Sequence, residues 1–142
     1  MDKILQDPNV IELKKYTETV NHNDKFLFDH LYGTYQILKQ WNKPDYVCMA
    51  GLFHSVYETE YFSFKTPYTR DKVKNMVGEK SEKLIYEFCN IKPRINVLIS
   101  RSKKWSDNEY ADLIDIELAN MKEQNYYNDS LKILEAIRKN IK

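Results

Sequence analysis

Three histidines occur in the chain, His22, His30 and His54. Imidazole is the side chain best suited to ligate a metal or move a proton near neutral pH. His54 stands in Ala50-Gly51-Leu52-Phe53-His54-Ser55-Val56-Tyr57-Glu58-Thr59-Glu60, where an apolar run ends in an imidazole, a hydroxyl, a phenol and two carboxylates. Neutral imidazoles bind zinc, iron or manganese, and one added carboxylate completes a mononuclear site with positions open to water or substrate. On this reading His22, His30, His54 and Asp115 (or Asp112) are the metal ligands, and Glu58 or Glu60 handles a proton. Tyr57 and Tyr61 could stack a base or sugar, and Arg70 could hold a phosphate by charge-assisted bonds. The spacing matches no fixed chelating motif such as H-E-x-x-H. Hydrogen-bonded core histidines are therefore the competing reading.

The elements that would position these groups read as helices. Pro8 suits a first helical turn, and Val10, Leu13 and Tyr16 recur at helical steps towards Val20. Asn21 to Asp24 interrupts with capping residues, after which Leu27, Leu31, Thr34, Leu38 and Trp41 form one stripe beside His30. Gly33 follows His30 by one turn, where a missing side chain lets another group come close. Asn42 to Asp45 breaks the chain again, and Val47, Ala50, Gly51 and His54 share one face of a third helix. Small residues on that face would bring His54 up to His30. Glu58 reaches the face of His54 only if this helix continues.

Residues 58–69 lack helical period and read as a loop over the site. Thr69 caps a helix from Arg70 to Val77 that Gly78 stops, and another runs through Leu84, Ile85, Phe88 and Cys89. Lys92 to Lys104 is basic around Ile95, Val97, Leu98 and Ile99, and is either a short helix or an extended connection. Ser106 or Asp107 caps a helix with Leu113, Ile114, Leu118 and Met121 inward, and Asp129 or Ser130 opens a last one.

The totals are consistent with this layout. A chain of 142 residues fits one domain, 1–142, with 42% hydrophobic and 30% charged residues and three Gly. A formal net charge of +1 gives no reason to expect nucleic-acid binding. No apolar run approaches the roughly 20 residues of a membrane span. Cys48 and Cys89 form no redox or zinc motif, and the first residues lack the apolar core of a signal peptide, which points to a reducing cytoplasm. Eleven Tyr and six Phe fill a core and its margin.

From His30 to Glu60, and more loosely to Cys89, the chain resembles the HD superfamily, particularly its guanosine-tetraphosphate hydrolase branch. That branch reads H-P, a helix, A-A-L-L-H-D-x-x-E-D-T, then a short helix and F-G before another helix. The matching residues are His30, the run Ala50 to Thr59, Val77-Gly78 and the helix through Ile85. Ser55 stands where the family has its metal aspartate, Thr59 replaces the second acid of the E-D pair, and Ile116 aligns with the late aspartate. The stretch is still more similar to small uncharacterised domains reading A-G-L-F-H-S-x-Y-G-T, in which serine after the histidine is usual.

The resemblance implies an all-α, HD-like bundle of about six or seven helices. It also implies a divalent metal (Fe, Mn or Zn) and hydrolysis of a phosphorylated small molecule or nucleotide. Two alternatives stay open: a non-catalytic module that binds a small molecule or protein at a degenerate site, and an iron-dependent oxygenase. A homo-oligomer is compatible with any of them.

Overall fold

The computed structural model describes residues 2–57 and 67–141. After a 3-10 turn at Lys3–Gln6 the helices are α1 (Pro8–Thr17), α2 (Leu27–Gln40), α3 (Asp45–Leu52), α4 (Arg70–Val77), α5 (Glu79–Asn90), α6 (Arg94–Ser100), α7 (Asp107–Glu123) and α8 (Asp129–Lys139). The protein is mostly helical. Among the described residues there are eight α-helices, so the expected six or seven is corrected, and the added one is α6 within the basic stretch.

Local chemistry sets the boundaries. Asp7 accepts a hydrogen bond from the Asn9 amide with Pro8 in the first turn of α1. Thr69 caps α4 through the Lys72 amide, and Gly78 ends it at φ 93°, a left-handed value that suits a residue without Cβ. Ser106 and Glu109 form a reciprocal capping box on α7. Asn128, one residue earlier than expected, caps α8 by accepting from the Leu131 amide.

The first helix also stops short, at Thr17, because the chain turns into a small antiparallel hairpin of β1 (Asn21–His22) and β2 (Lys25–Phe26). His22 pairs with Lys25 across a two-residue turn, and Asn23 takes φ 56°, which asparagine tolerates better than most residues. The Leu27 amide then donates to the Val20 carbonyl at 2.6 Å, closing the hairpin onto the start of α2.

The core is centred on α2, α3 and α7, which pack on one another. The α2 stripe Leu27, Leu31, Thr34 and Leu38 is buried, as are Val47, Cys48, Ala50, Gly51 and Leu52 of α3. Burial of these apolar side chains is the main stabilising term, at about 25 cal/mol per Å². From Tyr110 to Met121 every residue of α7 but Asp112 is buried, Asp115 and Glu117 included, so this helix runs through the middle of the molecule. None of the helices among the described residues is long and apolar enough to cross a membrane.

Candidate functional site

The three histidines converge. His30 lies in the first turn of α2 and is fully buried. His54 sits two residues past the end of α3, also buried, and its Nε2 is 3.2 Å from His30 Nε2. His22 comes from the hairpin and stacks on His30 with ring centroids 4.4 Å apart.

The hydrogen bonds on the far sides of the two buried rings determine what the near sides present. His54 Nδ1–H donates to the Gly51 carbonyl at 2.7 Å. His30 Nδ1–H donates to Glu123 Oε1 at 2.5 Å. In neutral rings this leaves the Nε2 lone pairs facing each other. Lone pairs at such a separation repel unless a cation, either a proton or a metal ion, lies between them. Two imidazole nitrogens bound to one ion at about 2.0–2.1 Å would stand about 2.9–3.4 Å apart for ordinary ligand angles, so the pair fits a shared metal. A backbone carbonyl and a carboxylate behind the ligating rings are also the usual supports of metal-bound histidine.

Electrostatics disfavour the charged form of His54 and His22. Burial, reinforced by the neighbouring His30, holds the His54 pKa well below its ordinary value. The same two causes lower His22 to about 4, against the opposing effects of Glu123 and a hydrogen bond with Gln124. Burial acts to raise Glu123, but the hydrogen bonds from His30 and Lys25 outweigh it and hold the carboxyl below its usual range.

These rings line one side of a cavity of about 490 Å³. That volume is in the range of small-molecule sites. Its other walls come from α6, α7, the α7–α8 connection and the start of α8: Arg94, Glu117, Asn120, Gln124, Tyr126, Asn128 and Ser130, with Ser55 beside His54. Arg94 Nε donates to Glu117 Oε2 at 2.6 Å, and both side chains are almost wholly buried. The Arg94 guanidinium lies 4.5 Å from the Phe88 ring centre. Asn120 donates to the second Glu117 oxygen at 2.7 Å, and Gln124 donates to the Asn120 side-chain oxygen at 3.0 Å. Asn23 of the hairpin donates to Gln124 in turn, so the network reaches the rim.

Other expected site residues go elsewhere. Asp115 is not brought to the histidines: it accepts from Arg138 at 2.8 Å and pairs with Lys43 at 3.2 Å, joining α7 to α8 and to the turn before α3. Helical rotation explains the correction, because α7 turns Glu117 and Asn120 towards the cavity and Asp115 away from it. Asp112 accepts from the Tyr46 hydroxyl. Tyr57 and Arg70 are drawn onto buried Glu82, Tyr57 at 2.7 Å and Arg70 through two bonds of 2.9 Å, with the guanidinium 3.6 Å from the Tyr86 ring centre. Neither lines the cavity. Glu58, Glu60 and Tyr61 lie outside the described residues. Among the described residues no group of three His, Cys, Asp or Glu is arranged to hold a metal ion.

The residues missed by sequence reasoning are Glu117, Glu123, Gln124 and an inward-facing Arg94. A signal existed for two of them, since Glu117 and Gln124 fall within two helical turns on the face of Asn120.

A family model described as Domain of unknown function (DUF6817) matches residues 13–93. The chain belongs to the DUF6817 family. The DUF6817 match contains all three histidines, the hairpin and α2 to α5, and it ends one residue before Arg94. The α7 acids that support or face the histidines thus lie outside the stretch matched to DUF6817. No curated protein and no solved structure matches the chain.

Proposed function

We propose that this protein is a metal-dependent hydrolase of a phosphorylated small molecule or nucleotide, with an HD-like helical arrangement and the cavity as its active site. The observation that supports this reading best is the 3.2 Å approach of His30 Nε2 to His54 Nε2, each ring held by an acceptor behind it. His30 and His54 would hold the ion, with His22 stacked on His30. A divalent Fe, Mn or Zn ion, when bound, lowers the pKa of water and offsets charge on a phosphoryl oxygen. Arg94 contributes positive charge to the same cavity, while Asn120, Asn128 and Ser130 offer neutral donors and acceptors to the rest of a substrate. Proton transfer falls to Glu58 or Glu60, the acids that follow His54 in sequence.

Metal content measured after purification without a polyhistidine tag tests the reading, together with hydrolysis of a panel of sugar phosphates and nucleotides. Bound metal and activity lost to EDTA, or to His30→Ala or His54→Ala, are the expected results. A protein that takes up no Fe, Mn or Zn overturns it. An absorption change with ferrous iron and oxygen, without hydrolysis, would instead assign the iron-oxygenase chemistry.

A second reading, a non-catalytic binding module, is favoured by the Arg94–Glu117–Asn120 network, in which both carboxylate oxygens already have partners. It predicts thermal stabilisation by a metabolite that EDTA does not alter and no turnover.

A further inference from the structure

We propose that Glu123 is the positioning residue of the histidine pair, and that α2 carries glycine at position 33 to admit its side chain. The proposal rests on the metal-site reading for its purpose, but its geometry stands separately. Glu123 ends α7 with its side chain 8% exposed, and its two oxygens point opposite ways. Oε1 accepts from His30 Nδ1–H and Oε2 from Lys25 on the hairpin, each at 2.5 Å. The carboxylate is therefore held from both sides.

It reaches His30 by lying flat across the backbone of α2. A Cβ built at Gly33 would stand 2.8 Å from Glu123 Cγ, 2.9 Å from Oε2 and 3.2 Å from Cδ. Any other residue would collide with the carboxylate arm. Glycine inside a helix costs about 1 kcal/mol relative to alanine, so the position carries a local penalty that this close approach explains.

The chemical consequence concerns which nitrogen of His30 bears the proton. With Glu123 in place Nδ1 bears a proton, and in the neutral ring Nε2 then turns a lone pair to His54. Without it, a buried Nδ1–H would have lost its acceptor. The other tautomer would then place N–H on Nε2, where His54 Nε2 is an acceptor at 3.2 Å. That hydrogen bond would occupy the His54 lone pair and leave none on His30 Nε2, closing the pair to any ion. Glu123 keeps it open.

Long-range ¹H–¹⁵N spectra of histidine-labelled protein in EDTA read the tautomer directly. His30 of the wild type is expected to carry a proton on Nδ1 and none on Nε2; a wild-type His30 with any other pattern overturns the proposal, with no variant needed. Glu123→Ala should move the proton to Nε2, and Gly33→Ala should do so in part. Glu123→Gln should restore the wild-type pattern, because a carboxamide oxygen still accepts. A folded Glu123→Ala protein with an unchanged tautomer also refutes it. Titration with zinc alone should show affinity falling about 10–100-fold in Glu123→Ala and recovering in Glu123→Gln. If the wild type shows the Nδ1 proton and the alanine shift but binds no metal, the hydrolase reading fails and the positioning role survives.

Discussion

At the scale of single residues, the buried ion pair Arg94–Glu117 departs most from expectation. In the sequence Arg94 is one of five cations in an acid-free run, yet its side chain is 6% exposed and bonded to a buried carboxylate. Arg94→Leu leaves Glu117 charged and buried without this partner, and urea unfolding should show a loss of about 3–5 kcal/mol. Arg94→Leu/Glu117→Leu should recover most of it, since removing both charges removes the desolvation cost.

Glu82 supplies a pH test away from the histidines. Burial acts to raise its pKa, but the hydrogen bonds from Arg70 and Tyr57 prevail and hold it below its ordinary value of 4.5. A carboxyl lowered in the folded state adds stability that is complete above the unfolded pKa and lost as pH falls through the folded one. The difference in unfolding free energy between wild type and Glu82→Gln should therefore be level near neutrality and shrink below about pH 4.5. A difference that grows on acidification would refute the pairing.

At the scale of elements, helices with a capping residue or a clear hydrophobic stripe were legible, and α6, with neither, was not. Thr69, Gly78 and Ser106 mark ends that the structure keeps. The hydrophobic group of α6 has no clear period; of Ile95, Val97, Leu98 and Ile99 only Leu98 is buried, and tertiary contact decides that the segment coils. The close approach expected of α3 on α2 is present: a Cβ at Gly51 would overlap the Leu38 side chain. Gly51→Ala should lower stability by about 1–3 kcal/mol in thermal or urea unfolding, because Leu38 must leave its rotamer. Unchanged stability would mean that the two helices can separate without penalty.

At the scale of the whole molecule, the residues around the cavity arrive from distant parts of the chain: the hairpin, α2, the turn after α3, α6, α7, the α7–α8 connection and α8. The sequence by itself determined the all-helical class, the caps at Thr69 and Ser106, the α2 stripe and the nearness of His30 to His54. Each of these depends on a few consecutive residues, through hydrogen bonds to nearby backbone or through side-chain periodicity along one helix. Tertiary structure alone decided which acids serve which partners. Asp115 and Glu117 are two positions apart on one helix, and their roles follow from its rotation between α2, α3 and α8, which no local pattern records. Glu123 reaches His30 across 93 positions of chain. Gly33 hinted at a close neighbour, but only the packing of α7 across α2 shows that the neighbour is the carboxylate that orients His30.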